Sequence, residues 1–268
     1  MAGIADMAYL GSHFRSCLRK KKNNMPSATH RPQINLFLSL PSPYLIEVLN
    51  TWPSVDSFTI DHQHGQFDPA HLRPCIRACA KPVLVRLPNN DPVPIGKALD
   101  YGATGLICPL VTSAEDTRQF VSACYYPPFG QRSYGPVRVN EPEHYLSNNQ
   151  KNPNHITTFA MIETASALEQ VEAIAQVPRL TGLYIGPFDL SLSLGLRTPG
   201  RLADPDLQRA IDRVFQVARA NHLRCGIFCP QLSDAQTMAR RGFDLISIGT
   251  EEQWIKAGAQ LINLEIPE

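Results

Sequence analysis

The sequence lacks several patterns that would assign it to a common class of protein. No apolar run approaches the ~20 residues of a membrane span, so no transmembrane helix is expected. No Gly-x-Gly-x-x-Gly follows the first apolar run and no P-loop occurs, so nucleotide binding lacks support. The formal net charge is only +1, which predicts no nucleic-acid partner and no anionic membrane surface.

Cysteine is present, but not in the spacing of a metal site. The seven cysteines are an odd number, and the pairs Cys75/Cys79 and Cys225/Cys229 lack the Cys-x-x-Cys or histidine spacing that zinc requires. Most lie in or near apolar runs. We therefore expect buried, reduced thiols in an intracellular protein, and a cytoplasmic location.

Positive charge is concentrated at the N-terminus. Residues 1–31 hold six lysines and arginines and a single acid, Asp6. No long apolar segment follows, so this stretch is a poor secretory signal. We expect a disordered N-terminal extension over residues 1–31, followed by one domain over residues 32–268.

The rest of the chain alternates short apolar runs with longer amphipathic stretches. The predicted strands are 34–40, 57–61, 82–87, 105–108, 158–162, 182–185, 224–228 and 245–248. The predicted helices are 43–50, 69–80, 93–101, 114–123, 165–175, 205–221, 234–241 and 251–263. Eight successive β-then-α units predict an α/β fold, the (β/α)8 TIM barrel. An open, doubly wound parallel sheet is the alternative.

One connection is long. Residues 125–155 are rich in Pro, Gly, Asn and Tyr and show no clear helical pattern. Loops of this length inside a compact domain are usually functional or disordered. Because it comes after the fourth strand, we expect this segment to cover the mouth of the barrel.

Two carboxylates come at the ends of predicted neighbouring strands. Glu163 ends an apolar run, and Asp189 lies on the turn Gly186-Pro187-Phe188-Asp189 between the next strand and a helix. Carboxylate oxygens suit Mg²⁺ or Mn²⁺, and Co²⁺ is a further possibility. The alternative is that Asp189 only caps a helix and that Glu163 is a solvated strand end.

Other polar residues share this rim, because a barrel places its chemistry where its strands end. Strand two ends in Asp61-His62-Gln63-His64, and strand three ends in Arg86. Histidine is the side chain best suited to moving a proton near neutrality, so His64 is the candidate proton carrier, and Arg86 can stabilise an enolate oxygen. Each has a structural alternative: Arg86 can pair with an acid, and a lone histidine can be a satisfied structural residue.

This set of groups limits the chemistry. A divalent cation held by two carboxylates can bind a 2-keto acid and stabilise its enolate. The backbone N–H groups of Phe188 and Asp189 can hold the substrate carboxylate. A Schiff-base aldolase is disfavoured, because Lys81 and Lys97 lie at a strand start and in a helix rather than at a strand end.

At this point the chain resembles the HpcH/HpaI-type class II, metal-dependent pyruvate aldolases. The stretches that carry the resemblance are residues 60–65 (IDHQHG), 85–92 (VRLPNNDP), 99–103 (LDYGA), 126–132 (YPPFGQR), 162–164 (IET) and 186–190 (GPFDL). They span nearly the whole predicted barrel. The resemblance implies a TIM barrel, a divalent metal cofactor, a 2-keto acid substrate and a homo-oligomer, a trimer or a hexamer.

The family's site residues carry over position by position. The resemblance places the catalytic roles on His64, on the acid Asp100 that partners it and on Arg86. It places the metal on Glu163 and Asp189. The substrate-binding candidates are Arg86, Gly186, Pro187, Phe188 and Asp189, and the further candidates are Asp61, Gln63, Tyr126 and Arg132. Gln63 is a departure, since the family usually has glutamate before the histidine, and glutamine cannot carry the charge.

A second resemblance concerns the long connection. Residues 125–134 (YYPPFGQRSY) are similar to the corresponding loop of fungal macrophomate synthase, a member of the same superfamily. That enzyme decarboxylates oxaloacetate and adds the enolate to a 2-pyrone. The aromatic residues of the loop would suit a flat or apolar acceptor, or else only pack the loop down.

The sequence therefore predicts a carbon–carbon lyase that forms or cleaves 2-keto-acid aldols through a pyruvate enolate stabilised by the metal. The function resembles that of 4-hydroxy-2-oxoheptanedioate aldolase, with pyruvate or oxaloacetate and an aldehyde or other acceptor as substrates. The first alternative is oxaloacetate decarboxylation with or without transfer of the enolate. The second is a non-catalytic keto-acid-binding barrel, with Gln63 as its lesion.

Overall fold

The computed structural model of the chain describes residues 31–135 and 156–260. The proposed N-terminal extension lies outside these residues except for Arg31, so its expected disorder stays a prediction. The compact unit that contains the barrel begins at Pro32. Within the described ranges, no helix is both long enough and apolar enough to cross a membrane.

The described residues form a closed barrel of eight parallel strands, which confirms the predicted TIM barrel. The strands are β1 (Gln33–Leu38), β2 (Ser57–Asp61), β3 (Val83–Arg86), β4 (Gly105–Cys108), β5 (Thr157–Ile162), β6 (Gly182–Ile185), β7 (Arg224–Phe228) and β8 (Leu245–Thr250). Each strand pairs with the next, and β8 pairs with β1 through an irregularity between Asn35 and Phe37.

Helices follow the strands. They are α1 (Pro43–Asn50), α2 (Pro69–Ala78), α3 (Pro92–Tyr101), α4 (Ala114–Cys124), α5 (Ala165–Glu169), α6 (Val171–Ala175), α7 (Pro187–Ser193), α8 (Pro205–Ala220), α9 (Leu232–Arg241) and α10 (Glu251–Ala259). Four of them begin with proline after an N-cap whose side chain accepts a backbone N–H: Ser42, Asp68, Asp91 and Asp204. Proline fits this position because its missing N–H would have no helical partner.

The predicted helix 165–175 is two helices. Its backbone leaves the helical region at Gln170, where φ is −100° and ψ is 11°. The N–H of Gln170 still donates to the Ser166 carbonyl, and the carbonyl of Gln170 accepts from Ile174, so the chain bends without losing these bonds. The apolar pattern continues across the bend, which is why the sequence indicated a single helix.

Apolar side chains fill two separate layers. The larger core lies between the strands and the surrounding helices. The barrel interior is filled by a smaller cluster: Phe37, Leu84, Ile107, Phe159, Met161, Tyr184 and Leu245. This interior is packed rather than hollow, so the residues at the carboxyl ends of the strands lie on a layer of buried side chains.

Candidate active site

The turn after β2 is organised around the carboxylate of Asp61. Its Oδ1 accepts the backbone N–H groups of Gln63 and His64, at 3.2 and 3.1 Å. The same carboxylate accepts two hydrogen bonds from Arg86, Nε to Oδ1 at 2.9 Å and Nη2 to Oδ2 at 2.6 Å. Asp61 therefore joins the turn that carries His64 to the end of β3.

Arg86 is held on two sides. Its guanidinium pairs with Asp61 and lies over the Phe37 ring, 5.4 Å from the ring centroid. The structural alternative for Arg86, a pair with an acid, is therefore present. This pair leaves Arg86 able to bind a further group, because a guanidinium has five N–H donors and Asp61 accepts from only two of them.

Glu163 lies buried directly after β5, so it is not a solvated strand end; its relative exposure is 1%. Its Oε1 accepts the backbone N–H of Leu110 at 2.6 Å. Burial raises the pKa of Glu163 to about 7; the Leu110 N–H lowers it, the charge of Asp189 raises it, and Arg86 lowers it. A carboxylate that is both buried and close to a second carboxylate is a position where a cation is favoured.

Asp189 lies in the first turn of α7 and is exposed. The N-cap of this helix is Gly186, so the alternative that Asp189 caps the helix is wrong. Gly186 leaves room for its neighbours, because a Cβ there would lie 2.8 Å from Glu163 Oε2 and 2.5 Å from Met161 Cε, and both side chains would have to shift. The absent side chain lets Glu163 approach the turn that carries Asp189.

The donor set fits a hard divalent cation bound partly by substrate or water. Within residues 31–135 and 156–260, no cluster of three or more His, Cys, Asp or Glu side chains could hold a metal by itself. Mg²⁺ commonly takes only one or two protein carboxylates and completes its shell with water and substrate oxygens. Glu163 and Asp189 match that arrangement.

Gln63 and His62 each have a buried polar atom without a hydrogen-bond partner among the described residues. These atoms are Gln63 Oε1 and His62 Nδ1. Burial lowers the pKa of His62, against the opposing charges of Asp61 and Asp68. The exposed His64 and the half-buried Gln63 thus lie next to each other on the rim, while the unpartnered amide oxygen of Gln63 is itself buried.

Three of the predicted site residues lie elsewhere. Asp100 is in the last turn of α3, which returns from the end of β3 to the start of β4, so it lies at the opposite end of the barrel from His64. Its carboxylate accepts a hydrogen bond from Arg132 Nη2 at 2.7 Å, and the Arg132 guanidinium lies over the Tyr126 ring at 4.8 Å. Burial raises the pKa of Asp100, and Arg132 opposes the shift.

The same geometry corrects the position expected for the long connection. Tyr125 OH donates to the carbonyls of Ile156 and Arg179, which come just before β5 and β6. The described part of the loop, residues 125–135, therefore lies at the amino ends of the strands and not over the mouth. The expectation overlooked α4, which carries the chain back across the barrel before the loop begins. Residues 136–155 lie outside the described residues.

Two groups at the rim were not among the sequence-predicted site residues. Leu110 has the unusual backbone angle φ of 52° for a non-glycine residue, and its N–H points at Glu163. Glu251 is buried and accepts the N–H groups of Ser39 and Leu40, so it ties the end of β8 to the loop after β1. Glu251 has a signal in the sequence, a charge directly after an apolar run, whereas Leu110 has none.

Comparison with known proteins gives a decisive match. The family model described as HpcH/HpaI aldolase/citrate lyase matches residues 33–256, which is most of the chain. The chain belongs to this family. It is therefore an enzyme of the aldolase and lyase class, and the family is in general dependent on a divalent metal.

Relatives and solved structures agree with that assignment. A 5-keto-4-deoxy-D-glucarate aldolase from Salmonella arizonae is 30% identical over 241 residues, 87% of this chain and 91% of the relative. An HpcH/HpaI aldolase/citrate lyase family protein from Burkholderia cenocepacia is 25% identical with a TM-score of 0.79, covering 93% and 96% of the two chains. Macrophomate synthase shares the fold, at 24% identity, a TM-score of 0.72, and 94% and 99% coverage.

Proposed function

We propose that this aldolase-family enzyme forms and cleaves 4-hydroxy-2-keto acids with pyruvate as the common product or substrate. The observation that carries the proposal is the buried carboxylate of Glu163, whose pKa is raised by burial and by the charge of Asp189, at the end of the barrel where Arg86 also lies. We assign the metal to these two carboxylates, with Mg²⁺ or Mn²⁺ as the expected ion and Co²⁺ as a substitute.

A divalent cation bound there supplies Lewis acidity toward the keto oxygen of the substrate. The side chains of the chain do the rest. Arg86, fixed by Asp61, directs its remaining N–H groups toward negative charge that develops on that oxygen. His64, exposed at the rim, moves the proton of the hydroxyl group that forms or breaks in the acceptor half.

The turn Gly186-Pro187-Phe188-Asp189 is the proposed binding site for the substrate carboxylate. It adjoins Glu163 so closely that a side chain at Gly186 would collide with it. The backbone N–H groups of Phe188 and Asp189 belong to the first turn of α7 and have no helical acceptor there. This assignment rests on the turn itself and on its match to the family's GP-x-D-L stretch.

A second candidate activity, decarboxylation of oxaloacetate, is favoured by one observation. Gln63 presents an unpartnered amide oxygen where the family usually has a carboxylate. Loss of carbon dioxide from oxaloacetate yields the same enolate but needs no proton transfer to an acceptor oxygen. A site with weakened proton chemistry beside His64 would retain this reaction.

We also propose a homo-oligomer, a trimer or a hexamer. The last described helix, α10, is largely exposed and carries Ile255 at 53% exposure. Beside it, a largely apolar pocket is lined by Leu232, Ile248, Trp254 and Ala257, together with the polar Gln231 and Gln253. If Asp100 is the acid that holds His64, the two must come from different chains, because within one chain they lie at opposite ends of the barrel.

The test is a panel of 2-keto acids incubated with the metal-loaded and the EDTA-stripped enzyme. Pyruvate and carbon dioxide are followed in parallel. Metal-dependent release of pyruvate and an aldehyde from 4-hydroxy-2-keto acids is expected. Release of carbon dioxide from oxaloacetate alone would favour the second candidate, and equal turnover without metal would overturn the proposal.

A further inference from the structure

A row of three phenylalanine rings runs from the packed interior of the barrel to the exposed first turn of α7. Phe37 of β1 packs edge-on against Phe228 at the end of β7, with the centroids 5.3 Å apart. Phe228 packs edge-on against Phe188 in α7, with the centroids 6.1 Å apart. The row begins beneath the guanidinium of Arg86 and ends at the residue before Asp189, so it connects the two charged sides of the site.

Exposure increases along this row. Phe37 is 2% exposed, Phe228 is partly buried, and Phe188 is 41% exposed. Phe37 belongs to the packed interior of the barrel, and Phe228 packs on that interior cluster from above. The open surface of the row is therefore the ring of Phe188, the residue that precedes the proposed metal ligand Asp189 in the first turn of α7.

The ring of Phe188 is held from behind. Gly200, with φ of +71°, approaches it so closely that a Cβ would lie 2.5 Å from Phe188 Cε1. The N–H of Gly200 donates to Ser191 Oγ at 2.8 Å, and Ser191 Oγ donates to the carbonyls of Pro187 and Phe188. An aromatic face held in this way costs less conformational entropy to order when a ligand binds than a mobile side chain would.

We propose that Phe188, supported by Phe228, is the specificity-determining wall for the acceptor, and that the acceptor carries an aromatic or comparably apolar group next to its aldehyde. The inference rests on the proposed function. In the reaction, C3 of pyruvate loses a proton and bonds to the aldehyde carbon, and the aldehyde oxygen takes up a proton. The product is a 4-hydroxy-2-keto acid, with no oxidant or reductant required.

The geometry separates this chain from an enzyme for polyhydroxylated acceptors. Hydroxyl groups placed against Phe188 would lose water and gain no hydrogen bond, which is costly. An aromatic group in the same place gains buried apolar area and an edge-to-face or offset contact, worth about 0.5–1.5 kcal/mol beyond the area. Within one chain, the aromatic loop at residues 125–135 does not contribute to this surface, since it lies at the opposite end of the barrel.

The experiment compares kcat/KM for aldol addition of pyruvate to benzaldehyde and to glycolaldehyde, with metal present. The variants are Phe188→Ala, Phe188→Leu and the matched control Leu192→Ala, which removes another exposed apolar side chain of α7. The wild type should prefer benzaldehyde. Phe188→Ala should lower the benzaldehyde-to-glycolaldehyde ratio about fivefold or more, Phe188→Leu should lower it less, and Leu192→Ala should leave it in place.

The outcomes distinguish this inference from the proposed function. A wild type that prefers glycolaldehyde would refute the role of Phe188 in acceptor specificity. So would a benzaldehyde-to-glycolaldehyde ratio that is the same in Phe188→Ala and wild type. Neither result would contradict the aldolase activity. If the wild type turns over neither aldehyde and also releases no pyruvate from the panel of 4-hydroxy-2-keto acids, the proposed function fails. Binding of benzyl alcohol then still tests whether Phe188 contacts an aromatic group. The NMR line broadening of benzyl alcohol should weaken in Phe188→Ala and not in Leu192→Ala.

Discussion

The guanidinium of Arg86 and the carboxylate of Asp61 form a two-point pair, with N–O distances of 2.9 and 2.6 Å. The pair is largely buried, with side-chain exposures of 12% and 8%. Such bidentate geometry fixes the plane of the guanidinium as well as its position. In the proposed function, this pair positions Arg86 to stabilise the negative charge that develops on the enolate oxygen during the reaction.

Replacing Arg86 with lysine tests that role. Lysine keeps a positive charge but cannot reproduce the planar fork that Asp61 holds. We expect kcat to fall on the order of 10²-fold, as for other lost electrostatic stabilisers, with a smaller change in KM. Arg118→Lys, at an exposed pair with Glu115, is the control and should leave kcat unaltered. A raised KM with intact kcat would show that Arg86 serves only to bind substrate.

The metal assignment predicts that Glu163→Gln and Asp189→Asn each abolish activity and calorimetric binding of Mn²⁺. Both substitutions keep the shape of the side chain and remove its charge, so the barrel should remain folded by circular dichroism. Glu47→Gln, at an exposed acid on α1, is the matched control and should bind metal normally. Unimpaired Mn²⁺ binding in either site variant would show that the metal is held elsewhere.

The pKa of Glu163, raised to about 7, predicts a pH dependence of metal binding. A proton competes with the cation for this carboxylate, so the apparent affinity for Mg²⁺ should fall as the pH drops below about 7. Stability of the metal-free enzyme should change in the opposite direction. Between the ordinary glutamate pKa of 4.5 and about 7 the folded state binds more protons than the unfolded state, so stability falls as pH rises.

Chemical unfolding of wild type and Glu163→Gln at several pH values checks the stability part. The difference between the two proteins should vary across this window and be constant above it. Titration calorimetry with Mg²⁺ checks the binding part. An affinity that does not change between pH 5 and pH 8 would mean that Glu163 is not a ligand.

The neutral Gln63 beside His64 predicts separable activities. His64→Ala should damage retro-aldol cleavage far more than oxaloacetate decarboxylation, because only the former moves a proton at the acceptor oxygen. Gln63→Glu should raise aldolase activity relative to decarboxylase activity. The measurement is the ratio of the two rates in each enzyme. Equal losses in His64→Ala, with an unchanged ratio in Gln63→Glu, would place the proton chemistry on another group.

The position of Asp100 predicts complementation between chains. If Asp100 of one subunit serves His64 of another, His64→Ala and Asp100→Asn should each be poorly active. Co-expression should restore activity, since about a quarter of the sites in a random mixed oligomer would combine both intact residues. Each variant must be an oligomer of wild-type size for the result to count. No recovery in mixed oligomers would remove Asp100 from the active site.

Much of the fold was predictable because its signals are periodic. Runs such as residues 182–185 are too short and too apolar to be surface helices, and each precedes an amphipathic stretch, so the alternation itself predicts the barrel. The strand ends then follow, and with them Arg86, Glu163 and Asp189. The break at Gln170 was not predictable, because no proline or glycine marks it.

The site was less predictable where residues that are close in sequence lie at opposite ends of the barrel. The segment that begins at Tyr125 comes after β4 in sequence, yet α4 takes it to the far side of the barrel. Asp100 is likewise close in sequence to Arg86 but separated from it by the length of α3, about 15 Å for ten residues at 1.5 Å each. Sequence order predicts the elements, whereas their direction decides which residues meet.

The contact between Leu110 and Glu163 has a consequence for how this enzyme can vary. The group that holds the carboxylate is a backbone N–H, which every residue except proline provides. The left-handed angle at Leu110 favours glycine or asparagine, and neither is required for the bond. The exposed side chain at position 110 can therefore be substituted while the backbone hydrogen bond to Glu163 is kept.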